Sequence, residues 1–178
     1  MESTGGFLQP EEVIKQLNIK KDMIVTDFGC GSGYFSIPLA KIVDEGKVYS
    51  LDILSEALES VQSRARFEGI FNIETRRCDL EVLNNSKLED NSMDFVFLAN
   101  ILFQSNAKSD IIKEAKRVLK MNGKLVVIDW KEDKYMGPPN FLAVSLESIK
   151  ELIKEQNLKF EKEIPVDKYH WGALFIKS

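Results

Sequence analysis

The chain has 178 residues, enough for one domain with a sizeable core and short for two. With 44% hydrophobic and 29% charged residues it has the balance of an ordinary globular protein, and no run reaches the roughly 18 apolar residues of a membrane span. A net charge of −4 argues against autonomous nucleic-acid binding, which rests on clustered Lys and Arg.

In chain order, Met1 to Gln9 lacks the basic and apolar regions of a signal peptide, so a cytoplasmic protein is expected. Pro10 to Leu17 reads as a short helix with proline in its first turn. Met23 to Phe28 is a nearly continuous apolar strand, the pattern of a parallel sheet covered on both faces. A helix from Tyr34 to Val43 follows, then a strand from Lys47 to Asp52. Ser55 is a plausible cap for the next helix, which carries Ala57, Leu58, Val61 and Ala65 on one face and stops at Gly69. Ile73 to Cys78 makes a third strand, Asn84 to Asn91 a polar loop, and Met93 to Ala99 a fourth strand.

Asp110 to Lys120 has helical periodicity and ends at Asn122-Gly123, and Lys124 to Asp129 is a fifth strand. Beyond the Gly137-Pro138-Pro139 loop, Leu146 to Gln156 reads as the last helix. Phe160 to Val166 and Trp171 to Lys177 are closing strands, and so short a connection demands an antiparallel pair. The alternation implies an α/β fold: a doubly wound, mostly parallel seven-stranded sheet with a reversed last strand and helices on both faces. Residues 1–178 are expected to form a single domain, with 1–20 adding a helix to the cleft and 21–178 forming the sheet core.

The first strand runs into Asp27-Phe28-Gly29-Cys30-Gly31-Ser32-Gly33, where alternate glycines let a ligand lie on the backbone before a helix. Ligands in open α/β sheets bind beyond the strand carboxyl ends, and here five consecutive strands end in Asp27, Asp52, Asp79, Asn100 and Asp129. Asp52 lies about twenty residues past the glycines, where an acidic side chain accepts from a ribose diol. The dinucleotide fingerprint, however, needs glycine where this chain has Tyr34. Three carboxylates would also repel a pyrophosphate and suit a cation. Cys30 and Cys78 form no Cys-x-x-Cys pair, so reduced thiols are expected, with neither a metal nor a disulfide framework.

The chain resembles the class I S-adenosylmethionine-dependent methyltransferases over nearly its whole length, from Gly5-Gly6-Phe7-Leu8 to the final hairpin. The run from Asp27 to Gly33 matches their acidic-x-Gly-x-Gly-x-Gly signature, and Asp52, Arg77-Cys78-Asp79 and Asn122-Gly123-Lys124 follow in order. The resemblance implies that S-adenosylmethionine is the cofactor and S-adenosylhomocysteine the product. It places Gly29, Cys30, Gly31 and Gly33 under the methionine and ribose, and Asp27 at the amino group. Asp52 would bind the ribose hydroxyls, Ile53 and Leu80 would flank the adenine, Asp79 would accept from its exocyclic amine, and Asn100 would join the cofactor site.

No catalytic triad is visible. Topology directs attention to Asn100, Phe103, Asp129, Trp130, Tyr169, His170 and Trp171 for the acceptor, with Asn100, Asp129 and His170 the catalytic candidates. A small-molecule acceptor is expected, the chain itself is expected as a monomer or homodimer, and a protein or tRNA acceptor stays open. A nicotinamide-dependent oxidoreductase is the other enzyme reading, against which stand Tyr34 and the lack of a Tyr-x-x-x-Lys pair. A non-catalytic cofactor-binding module is the third.

Overall fold

A computed structural model describes residues 7–134 and 143–178. The helices are α1 (Pro10–Ile14), α2 (Ser36–Ile42), α3 (Ser55–Phe67), α4 (Lys108–Val118) and α5 (Leu146–Glu155). The strands are β1 (Ile24–Phe28), β2 (Lys47–Asp52), β3 (Ile73–Arg77), β4 (Met93–Ala99), β5 (Leu119–Trp130), β6 (Leu158–Glu163) and β7 (His170–Lys177). They form one seven-stranded sheet in the order β3-β2-β1-β4-β5-β7-β6. Pairings among β1 to β5 are parallel, and β7 runs antiparallel to both neighbours, as the short connection requires.

The apolar strands are sorted by the two-residue period. Val25, Val48, Phe95, Phe97, Val126 and Ile128 pack with α1 and α2, whereas Phe28, Leu51, Val96, Leu98, Leu125 and Val127 pack with α4 and α5. Residues i and i+1 of a strand thus face different cores, which is why these strands are apolar at consecutive positions. Helix α3 adds Leu58 and Val61 against Cys30. Strand order reverses between β1 and β4, which opens a crevice at their carboxyl ends.

Several boundaries differ from those expected, each for a local reason. Helix α1 ends at Ile14, because Gln16 and Leu17 bond three residues back and tighten the last turn. Helix α2 starts at Ser36, after the loop has turned through Gly33 at φ +82°. Ser55 is not a cap: Leu54 holds that position in extended geometry, and its amide donates to Asp52 Oδ1 at 2.9 Å.

Asn122-Gly123 ends no helix. Strand β5 begins at Leu119, and the pair (Asn122 at φ +63°) falls where pairing with β4 jumps from Met93–Leu119 to Phe95–Lys124. A Cβ on Gly123 would lie 2.8 Å from Lys120 O. Cys78 falls just past β3, helix α4 is shifted toward Lys108, and the final strands begin at Leu158 and His170. The expected Gly137-Pro138-Pro139 loop lies outside the described residues.

Candidate functional site

A cavity of about 650 Å³ sits at the crevice between the ends of β1, β2, β3 and β4. Nine residues singled out from the sequence line it: Asp27, Gly29, Cys30, Gly31, Asp52, Ile53, Asp79, Leu80 and Asn100. Strand register explains the convergence, since Asp27 stands beside Ser50 on β2 and beside Phe97 on β4.

Asp27 is buried, and its Oδ2 accepts from Ser36 Oγ at 2.7 Å, which in turn accepts from Ser50 Oγ at 2.7 Å. Burial raises its carboxyl from 3.8 to about 6, against the lowering effect of the Ser36 bonds. Both serines look like ordinary strand and helix residues in the sequence, and only their register with Asp27 reveals the chain of hydroxyls.

Asp52 is engaged at both oxygens: Oδ2 accepts from Gly31 N and Oδ1 from Leu54 N, each at 2.9 Å. It therefore ties the glycine loop to the β2–α3 turn. A carboxylate oxygen carries two lone pairs, so capacity remains for a diol. Asp79 is arranged similarly, its Oδ1 accepting from Glu81 N at 2.9 Å, while its own amide donates to Asn85 Oδ1 at 2.8 Å. Asn100 has φ +55°, and its Oδ1 is buried with no hydrogen-bond partner among the described residues.

The three glycines differ. A Cβ on Gly31 would meet nothing within 4 Å, so open space stands over it. A Cβ on Gly29 would come within 2.6 Å of Ile101 Cδ1. Gly33 does not line the cavity, and its Cβ would stand 3.0 Å from Val61 Cγ2 of α3. It serves helix packing where the sequence reading put it under the ligand. Both thiols are free and buried; burial pushes the Cys78 thiol up to about 12 and Cys30 higher still, so neither is a ready nucleophile.

None of Asp129, His170, Phe103, Trp130, Tyr169 and Trp171 lines the cavity. Asp129 is buried and turned to the backbone, accepting from Phe103 N at 3.1 Å and Trp130 N at 2.8 Å. Burial lifts its carboxyl to about 6. His170 begins β7, one residue ahead of the expected start at Trp171, and it is buried. Trp171 donates from Nε1 to Val144 O at 2.8 Å.

The sequence reading missed part of the wall. Leu8 enters it because Tyr34 Oη donates to Leu8 O, which binds the N-terminal segment to the glycine loop. Gln104, Ser105 and Glu81 close the other side, where Ser105 Oγ donates to Glu81 Oε1 at 2.6 Å. Polar residues just after the fourth strand were the available signal for Gln104 and Ser105, whereas Glu81 follows the third.

A doubly wound sheet with a carboxylate-lined, glycine-floored cavity at its switch point defines a binder of ribose-bearing ligands. Residues 19–172 match the model of the methyltransferase domain family, and the chain belongs to that family, of the class I S-adenosylmethionine-dependent type. It is similar to a SAM dependent methyltransferase from Aquifex aeolicus, at 28% identity and a TM-score of 0.86, covering 97% of this chain and 91% of that one. A SAM-dependent methyltransferase from Methanosarcina mazei shares the fold at 20% identity and a TM-score of 0.75, covering 92% of this chain and 96% of that one. The demethylmenaquinone methyltransferase of Geobacillus stearothermophilus is 27% identical over 128 residues, 71% of this chain and 53% of that protein. The chain thus spans about half the length of the curated relatives it matches.

Proposed function

We propose that this chain transfers the methyl group of S-adenosylmethionine to a small-molecule acceptor and releases S-adenosylhomocysteine. The observation that carries this reading is the convergence of Asp27, Asp52 and Asp79 on a single cavity floored by Gly31. That donor set fits the ligand. Among the described residues no cationic side chain pairs with Asp27, and an ammonium group would supply the missing charge. The buried Asn100 Oδ1 awaits a donor, and the open space over Gly31 accepts a chain laid on the backbone.

In the roles carried over from the family, Asp27 holds the amino group, Asp52 the ribose hydroxyls, and Asp79 the adenine amine between Ile53 and Leu80. When bound, the cofactor supplies a methyl group already activated on a sulfonium. What remains for the protein is to position the acceptor in line and exclude water. The family likeness to a demethylmenaquinone methyltransferase supports a small acceptor, and two free buried thiols support a reducing, cytoplasmic setting. Among the described residues no helix is long and apolar enough to cross a membrane.

A nicotinamide dinucleotide is the competing ligand, and three carboxylates disfavour its pyrophosphate. Titration calorimetry with S-adenosylmethionine, S-adenosylhomocysteine and NADH decides between them. We expect binding of the first two alone, and binding of NADH alone would overturn the proposal.

A further inference from the structure

We propose that Tyr34 is a positioning residue: its hydroxyl, by holding Leu8 O, closes the N-terminal segment over the amino-acid end of the donor and sets how fast donor enters and product leaves. This rests on the methyltransferase reading above and adds the group that controls access to the site.

The two ends of the cavity differ. Ile53 and Leu54 line it and are 53% and 60% exposed, and open space stands over Gly31. The end assigned to adenine and ribose therefore faces water. Leu8, Asp27 and Phe35 line the same cavity, yet they are only 5%, 2% and 3% exposed. Leu8 packs in one core cluster with Phe35, whose neighbour Ser36 holds Asp27. The carboxylate assigned to the amino group thus lies under cover, and an incoming ammonium reaches it only when the cover lifts.

That cover is held at few points. Residues 7–9 precede α1 and belong to no helix or strand. Among the described residues Leu8 O accepts from Tyr34 Oη and from no other donor. Phe7, which does not line the cavity, stacks on Tyr169 with ring centroids 5.7 Å apart and planes 22° apart. One anchor is on the β1–α2 loop and the other beside β7, and β4 and β5 stand between them in the sheet. The segment consequently crosses the strand ends where Asn100 enters the cavity.

Both anchors reach water, with Tyr34 49% and Phe7 66% exposed, so opening exchanges one hydrogen bond and one ring stack for solvent. Leu8 must also leave its apolar cluster, which keeps the closed form the major one. Gln9, extended before Pro10, is the pivot, because α1 beyond it is fixed by buried Val13 and Ile14. A dinucleotide loop keeps glycine at the position of Tyr34 and has no side chain there to make this clasp.

The clasp joins protein to protein in the free and the loaded chain alike. Weakening it raises the open fraction in both, so entry and exit accelerate together and the equilibrium constant is left alone. A residue that only shapes the bound site behaves differently: its loss speeds dissociation and weakens affinity.

Surface plasmon resonance with the chain immobilised and S-adenosylhomocysteine as analyte reads both rates. Tyr34→Phe keeps the ring and lacks the hydroxyl, and it should raise association and dissociation rates roughly 5-fold each, with the dissociation constant within about 2-fold of wild type. Phe7→Ala, at a residue outside the cavity, should show the same paired rise. Rates unchanged in Tyr34→Phe, or faster dissociation without faster association, overturn the proposal. A wild-type chain that binds no S-adenosylhomocysteine defeats instead the methyltransferase reading beneath it.

Discussion

Asp27 is a carboxylate kept without a cation in a place that excludes water, and its behaviour with pH follows from that. Its carboxyl titrates at about 6 folded against 3.8 ordinarily, so the folded chain holds this proton more tightly than the unfolded one. The corresponding stability is present below about pH 4 and is lost as pH rises through about 6, amounting to about 3 kcal/mol across the window. Asp129 adds a contribution of the same sign. Melting temperature should therefore decline from pH 4 to pH 6.5, and Asp27→Asn should flatten a good part of that decline in scanning calorimetry. A ligand ammonium favours the ionised carboxylate, so affinity for S-adenosylhomocysteine should increase through about pH 6 in wild type and not in Asp27→Asn. At this scale the strand-end acids were legible, because the residue at a strand's carboxyl end must meet the crevice. Which way each one turns was not. Asp27 and Asp129 end their strands alike in the sequence, yet Asp129 turns to the amides of Phe103 and Trp130. That choice depends on the 3-10 turn of residues 102–104, which no pattern within β5 announces.

The β1–α2 loop assigns separate duties to glycines that look equivalent in the sequence. Gly31→Ala adds a methyl group over open space at φ +50°, so it should cost about 1 kcal/mol of stability while projecting into the cavity. Gly33→Ala pushes on Val61 at φ +82° and should destabilise more. Urea unfolding beside ligand titration separates them: Gly31→Ala is expected to lose binding with a nearly normal midpoint, and Gly33→Ala to lose midpoint first. Helix α4 shows where periodicity misleads. Glu114 lies among the helix's polar residues, yet it is fully buried, accepting from Asn84 N at 2.8 Å and pairing with Arg117 Nη2 at 2.7 Å. Arg117 is one turn along the same helix, but the loop at 84–91 supplies Asn84 and Ser86, so the burial could not be seen from the helix alone. Removing one member of a buried pair strands the other, and Glu114→Ala should cost about 3–5 kcal/mol in the same unfolding assay.

For the whole molecule, the apolar strands alternating with amphipathic helices made the doubly wound sheet legible, and the short final connection fixed its reversed strand. The bulge at Asn122-Gly123 was not legible, since Asn-Gly after a helical pattern signals a stop, and only pairing with β4 shows the strand already under way. The cavity joins four strand ends across the point where strand order reverses, so a ligand there braces both halves of the sheet. At one hundred times its dissociation constant, S-adenosylhomocysteine should add about 2.7 kcal/mol, raising the melting temperature by roughly 5–10 °C. Asp52 takes this coupling furthest. Its carboxylate receives the Gly31 and Leu54 amides, so the group assigned to the sugar also shapes the floor beneath it. Cofactor preference in this chain is consequently not a detachable trait. An attempt to retrain it for a phosphorylated ribose by exchanging Asp52 for a smaller or basic residue would unmake the loop before any new ligand could use it. A redesign would have to supply a second acceptor for those two amides first.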